Sequence, residues 1–337
     1  MKGLVTGGAG FIGSHLVERL LRDGHEVVIL DNLSTGRREN LVDLADHSVL
    51  TFHEVDVTDF RRIREFFTGI DWVFHLAALA DIVPSIRHPL TYHRSNVDGT
   101  ASVVEACRNA GVKRFVYAAS SSCYGIPDIF PTPETAPIRP EYPYGLSKYL
   151  GEQIVLHWCK VYKLPALSLR LFNVFGTRSR TSGTYGAVFG VFLAQKLVGK
   201  PFTIVGDGLQ TRDFTYVTDV ADAFVRAAES DIIGEVFNIG SGGTYSVNYL
   251  VELLGGEAIH IPKRPGEPDC TFADISKVKS VLKWEPKVSF VEGVGRILDN
   301  INYWREAPVW DAESIARETK DWFSLLGQPE TYGRSTA

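Results

Sequence analysis

Residues 3–15 read GLVTGGAGFIGSH, and this stretch constrains the chain more than any other. A short apolar run feeds directly into Gly7, Gly10 and Gly13, and an amphipathic segment over 11–23 follows. Strand, glycine turn and helix in that order build a phosphate cradle. Gly7 admits the tight turn, Gly10 lets backbone N–H groups approach a pyrophosphate, and Gly13 permits close helix–strand packing. The positive end of the helix dipole then faces the anion. Three glycines alone would mean little in a chain with 31 of them. The next strand supplies a test: HEVVILD ends on Asp31, 18 residues past Gly13. A carboxylate there accepts hydrogen bonds from the adenosine ribose hydroxyls and repels a 2′-phosphate, which favours NAD over NADP. Arg37 and Arg38, in the loop that follows, could hold such a phosphate instead. Asp56 and Val57 in VDVTD fall near an adenine edge.

The pattern continues down the chain. Strand-like runs at 2–7, 25–31, 71–78, 113–120 and 166–173 alternate with helical segments at 11–23, 89–110 and 143–162. That alternation predicts a Rossmann-type, doubly wound α/β fold, with helices on both faces of a parallel sheet. After about residue 174 loops lengthen, glycines and prolines cluster, and helices are expected over 186–198, 216–229, 246–253 and 290–305. GEVFNIG (234–240) reads as one more strand, returning to the first sheet. The expected division is a dinucleotide-binding domain over 1–173, revisited at about 213–240, and a smaller C-terminal α/β substrate lobe over 174–337. The tail after 306, with Trp310 and Trp322, is expected to pack on that lobe, and the last ten residues to be weakly ordered.

Composition narrows the partners. A net charge of −5 is not that of a nucleic-acid binder, which needs a basic stripe. The longest apolar run, GAVFGVFLAQKLVG, is too short and interrupted to span a bilayer. No basic segment followed by an apolar core and cleavage site opens the chain, so no secretory signal is expected. Cys107, Cys123, Cys159 and Cys270 are widely spaced, without a CxxC or Cys/His cluster. That argues against a zinc site or a disulfide framework, and for a reducing cytoplasm.

PYGLSKYLGE (143–152) carries the chemistry. Of 13 tyrosines, only Tyr144 has a lysine four residues on, Lys148. Residues i and i+4 share a helix face, but spacing alone fits an exposed helix with snorkelling side chains equally well. Position decides. The helix follows a strand ending YAASSSCYG, on the carboxyl edge where α/β sheets bind ligands. A lysine ammonium and a positively charged nicotinamide there both favour phenolate over phenol.

With these segments in place, the chain resembles the extended short-chain dehydrogenase/reductases that act on nucleotide sugars, over roughly residues 2 to 305. The resemblance rests on TGGAGFIGSH, HLAALA (75–80), SSSCYG (120–125), Tyr144 with Lys148, RLFNVFG (170–176), GDGLQTRDFTYVTDVADA (206–223) and RPGEPDCTFADISK (264–277). It implies Tyr144 as acid/base, Lys148 on the cofactor ribose and lowering the tyrosine pKa, and Ser120 as the third catalytic residue, with Ser121 and Ser122 able to share that role. For NAD it implies contacts from Gly7, Gly10, Phe11, Ile12, Gly13, Asp31, Asn32, Asp56, Val57, Leu76, Ala77, Ala78, Ala80, Asn96 and Ala118, besides Tyr144 and Lys148.

Relatives that dehydrate nucleotide hexoses usually carry an Asp-Glu pair before YG, and decarboxylating ones keep a Glu. Here Ser121 and Ser122 occupy those places, the pattern of 4-epimerases most like those of UDP-hexoses. The implied chemistry is reversible oxidation at C4, with the 4-keto sugar turning over before proton and hydride return to the other face. The alternatives are a 4-ketosugar reductase and a non-catalytic NAD-binding regulator. The substrate, a UDP-sugar before a dTDP- or GDP-sugar, would touch Ser120, Ser122, Tyr144, Asn173, Val188, Val205, Arg212, Arg264, Glu267 and Thr271. Arg212 and Arg264 would take the diphosphate, and Glu267, longer than the usual Asp, the nucleotide ribose. Thr271 leaves room for a C2 substituent, and Arg178 and Arg180 are within sequence reach of a C6 carboxylate. No metal is implied. A homodimer through helices 89–110 and 143–162 is expected.

Overall fold

The computed structural model describes residues 1–179 and 186–327. Seven parallel strands form one sheet, in the order Val236–Ile239, Ala166–Leu171, Arg114–Ser120, Trp72–His75, Lys2–Thr6, Glu26–Asp31 and Leu50–Glu54. Leu4, Val5, Ile29, Leu30, Val73, Phe74, Phe115, Val116, Leu167 and Leu169 have no exposed surface, so both faces of the central strands are covered. That is why these runs are continuously apolar rather than alternating. The order reverses at Lys2–Thr6, where Val5 pairs with Ile29 on one side and Phe74 on the other. The carboxyl ends of these strands open the crevice at the switch point, the usual seat of a ligand in such sheets.

Several elements differ from expectation. Leu50–Glu54 is an edge strand whose residues are only partly covered, so LTFHE lacks the apolar run that announces the other strands. The stretch expected as one helix over 89–110 is helical throughout but in three parts: Pro89–His93, a π-turn at Arg94–Asp98, and Gly99–Ala110. Wider turns of this kind are frequent at functional sites, and Asn96 sits in this one. The last expected helix stops at Asp299, and a 3₁₀ turn covers Ile301–Trp304.

The remaining chain builds a smaller second core. Phe202–Val205 pairs in parallel with Ala258–Ile261, and two-residue ladders join Val174–Phe175 to Thr215–Tyr216 and Thr211–Arg212 to Tyr245–Ser246. Aromatic rings dominate, with Phe175 stacked on Phe189 (4.9 Å between centroids) and Phe214 on Phe290 (5.0 Å). Trp310 packs at the edge of this core, as expected of the tail. Trp322 also meets this part, at Pro265, while its helix, Lys320–Leu326, packs on the helix Ile82–Arg87 of the dinucleotide-binding part. The order of the last ten residues and the placement of Arg180 lie outside the described residues. Among the described residues, no helix is long and apolar enough to cross a membrane, and no cluster of His, Cys, Asp and Glu could hold a metal ion.

Candidate active site

The glycine turn is shaped by contacts that only glycine tolerates. Gly7 has φ +72°, and a Cβ there would stand 2.7 Å from the Ala77 nitrogen. A Cβ on Gly13 would overlap the Gly7 carbonyl oxygen. Gly10 caps the helix Phe11–Arg22 in an extended conformation, so Phe11 and Ile12 form its first turn and direct its N–H groups toward the crevice. Asp31 is buried at the end of its strand, accepting from Ala9 N–H (3.0 Å) and Leu33 N–H (2.8 Å). Burial pushes its pKa up, and the two N–H donors oppose that. Asn32 donates to Asp56 (3.0 Å), bringing together two residues expected around the adenosine, with Val57 buried beside them.

The arginines that could have met a 2′-phosphate are engaged elsewhere. Arg38 pairs with Glu54 at 3.0 Å and lies over the Phe52 ring, while Arg37 lies over Tyr303 and approaches Glu39 at 3.6 Å. The cradle, Asp31 and these pairings fit NAD.

On the other side of the switch point, Thr6 Oγ1 accepts from both Leu76 N–H and Ala77 N–H at 3.2 Å, which fixes the start of the loop carrying Ala78 and Ala80. The same hydroxyl lies 2.7 Å from His75 Nδ1, and His75 Nε2 lies 3.0 Å from the Thr100 hydroxyl. Burial, with Lys148 nearby, pushes His75 down to about 3, so it stays neutral. Asn96 is fully buried. Its carboxamide accepts from Leu79 N–H and donates to the Leu79 carbonyl and the Ser147 hydroxyl, tying that loop to the next helix rather than facing open crevice.

That helix, Pro143–Tyr162, presents Tyr144 and Lys148 on one face. Ser120, at the end of the strand that also carries Ala118, lies beside the Tyr144 phenol. Burial pushes the phenol up, and the Ser120 contact opposes this. Lys148 is buried with its Nζ 4.3 Å from the centre of the Tyr117 ring, and burial pulls it down to about 7 against the opposing pull of Glu152. Ser122 lies beside the Tyr142 hydroxyl.

Across the crevice, Glu267 stands between two guanidinium groups, 3.0 Å from Arg212 Nη2 and 3.6 Å from Arg264 Nη1. Asn173 Oδ1 accepts from the Thr271 hydroxyl at 2.6 Å, and that hydroxyl accepts from Asp213 N–H. Val188 and Val205 pack at the edge of the second core. The Arg178 guanidinium pairs with Glu18 at 2.8 Å. Sequence reading missed Thr6, His75 and Thr100 as the pins of the 76–81 loop. It also missed Glu152, although Glu152 follows Lys148 by the same four-residue step that had singled out the pair.

Fold and glycine cradle define an α/β dinucleotide-binding protein. The chain belongs to the NAD dependent epimerase/dehydratase family, whose model matches residues 3–240; the family's cofactor is NAD. It is 38% identical to the UDP-glucose 4-epimerase of Mycolicibacterium smegmatis over 309 residues, covering 89% of this chain and 98% of that one. Among solved structures it is similar to the UDP-glucose 4-epimerase of Thermotoga maritima with UDP-glucose (TM-score 0.84, 37% identity, 91% of this chain and 99% of that one). It is also similar to the UDP-glucuronic acid 4-epimerase of Bacillus cereus in complex with UDP-glucuronic acid and NAD (TM-score 0.82, 34% identity, 90% and 99%).

Proposed function

We propose that the protein is a nucleotide-sugar 4-epimerase acting on a UDP-sugar. The observation that carries this reading is Ser120 beside the Tyr144 phenol at the sheet's carboxyl edge, flanked by Ser121 and Ser122 where dehydratases need carboxylates. Bound NAD supplies the hydride acceptor and, in its oxidised form, a positive charge near the phenol. Tyr144 as phenolate removes the C4 hydroxyl proton, with Ser120 beside it, and C4 becomes a carbonyl. Lys148 holds the cofactor ribose and adds positive charge that favours phenolate. A buried phenol needs such help to act as base near neutral pH. The 4-keto sugar turns about its diphosphate link, and Tyr144 returns the proton when C4 is reduced from the other face.

Arg212 and Arg264 hold the diphosphate, apt work for guanidinium forks, and Asn173 with Thr271 faces the sugar. The dinucleotide-binding part comprises residues 1–173 with the returning stretch at about 213–240, which holds the helix Val217–Glu229 and the strand Val236–Ile239, and the rest forms the sugar-nucleotide lobe. Two copies pair through helices Gly99–Ala110 and Pro143–Tyr162; a monodisperse monomer by light scattering would refute the pairing. With Arg178 held by Glu18, a uronic acid loses one of its two candidate partners.

Incubation with UDP-glucose, UDP-N-acetylglucosamine and UDP-glucuronic acid, alongside dTDP- and GDP-sugars, tests the reading by NMR at C4. Inversion of at least one UDP-sugar without net cofactor reduction is expected. Net consumption of reduced cofactor with a 4-keto sugar would instead mark a reductase, and no conversion of any sugar would defeat the proposal.

A further inference from the structure

The resemblance described above ends near residue 305, yet the chain goes on to build two short helices, Ala312–Glu318 and Lys320–Leu326. A capping box at Asp311 and Ser314 starts the first, and the buried Thr319 hydroxyl, bonded to the Ile315 carbonyl at 2.8 Å, holds the joint between them. The pair touches both sides of the crevice. On the dinucleotide-binding side, Arg87 closes the helix that follows the 76–81 loop. Its guanidinium donates to Asp321 (2.8 Å), to the Glu318 carboxylate (2.9 Å) and to the Glu318 carbonyl. On the sugar-nucleotide side, Trp322 donates its indole N–H to the Pro265 carbonyl at 2.7 Å. The indole is 2% exposed, so its surroundings are fully formed. The Arg264 guanidinium lies 5.5 Å from the indole ring centre, and the Tyr142 ring lies 6.2 Å away. Tyr142 is the residue that opens the helix bearing Tyr144 and Lys148.

We propose that this helix pair is a clasp across the crevice and that Trp322 is a positioning residue, holding Arg264 and its loop where a nucleotide diphosphate is received. The inference rests on the nucleotide-sugar reading and adds to it a residue outside the family resemblance. An arginine over an indole face keeps its charge while its swing is restricted. The indole N–H fixes the backbone of the next residue, Pro265, so guanidinium and loop are oriented together. Preorganisation of this kind lowers the ordering cost that binding would otherwise carry. Arg87 makes the clasp a bridge between the two sides: its three contacts fix the helix pair to the side that carries the catalytic tyrosine.

Calorimetry on the full chain loaded with NAD tests this, with UDP as titrant. Trp322→Ala should raise the UDP Kd about tenfold, and Arg87→Ala should raise it less, about threefold. NAD binding should not change in either variant. In turnover, KM for the UDP-sugar should rise while kcat holds, a split that general loss of fold does not produce. Where Trp322→Ala lowers the melting temperature, Trp322→Phe and Arg87→Ala decide, the former keeping an aromatic face for Arg264 while losing the indole N–H with its five-membered ring, and weakening UDP about threefold. Wild-type chain that binds UDP with the same Kd as all three variants overturns the clasp alone. Wild-type chain that binds NAD but neither UDP, dTDP nor GDP overturns the nucleotide-sugar reading, and the clasp's role with it.

Discussion

Glu152 accepts both prongs of the Arg170 guanidinium, Nη2 to Oε1 at 2.6 Å and Nε to Oε2 at 3.0 Å, one helical turn beyond Lys148. The Ser168 hydroxyl completes the contact, donating to Oε2 at 2.9 Å. Both charged side chains are almost wholly buried. The pair therefore fastens the helix of Tyr144 and Lys148 to the strand Ala166–Leu171. Removing one partner leaves an uncompensated buried charge, at a cost of about 3–5 kcal/mol. Glu152→Gln and Arg170→Met should each lower the urea midpoint accordingly. The double variant Glu152→Leu/Arg170→Met should lose less than either, because no charge stays buried. A double variant that loses the sum of the two would show that the pair is not coupled.

Cofactor choice follows from where two arginines already point. Arg38 is held by Glu54, and Asp31 places negative charge where a 2′-phosphate would come. Binding of NAD should exceed that of NADP by about a hundredfold, or ~2.7 kcal/mol. Asp31→Asn with Glu54→Gln should narrow the gap by at least tenfold, as the repulsion goes and Arg38 is released. Fluorescence titration with both nucleotides checks this, and an unchanged ratio in the double variant would refute it.

Acid should destabilise the protein through two buried histidines. His15, whose Nε2 lies 2.9 Å from the Thr177 carbonyl, is pushed down to about 4, and His75 to about 3, burial being the main cause for both. Unfolded histidine takes up its proton near pH 6.5. From pH 6.5 down to about 4 the unfolded chain thus binds more protons than the folded one, and stability falls with pH. Each histidine contributes about 1.4 kcal/mol per pH unit over its window. His15→Gln should reduce the slope of urea midpoint against pH between 6 and 4.5, whatever it does to stability at pH 7. An unaltered slope would show that His15 titrates normally when folded.

What the chain reveals by inspection depends on the range of the interaction. Gly7, Gly13 and Asp31 act within 25 residues, and their spacing alone implies the cradle. Tyr144 and Lys148 share one helix face for the same local reason. The edge strand at 50–54 escapes notice because its exposed face removes the apolar run. Long-range pairings leave no local trace: Arg212 meets Glu267 across 55 residues, Trp322 meets Pro265 across 57, and Arg87 meets Glu318 across 231. Reading Arg212, Arg264 and Glu267 separately assigns each a piece of the substrate. Only the folded chain shows that the acid neutralises the two bases.

That neutralisation has a consequence for binding. Glu267 lies against Arg212 and Arg264, the two arginines proposed above to hold the diphosphate. If the diphosphate is held by these arginines as proposed, it must displace the carboxylate, and the displacement costs part of the attraction between the arginines and the ligand. Glu267→Gln keeps the shape and removes the charge, so the two guanidinium groups meet the anion without a competitor. Inorganic pyrophosphate, which has no ribose, should bind this variant more tightly than wild type by about tenfold, or ~1.4 kcal/mol. UDP should gain less, because a carboxylate released from the arginines can accept from the ribose hydroxyls and an amide does so more weakly. Arg212→Ala should weaken both ligands. Calorimetry with the two titrants separates the roles: equal gains for pyrophosphate and UDP would show that Glu267 makes no ribose contact, and no gain for pyrophosphate would show that its carboxylate is no barrier to the anion.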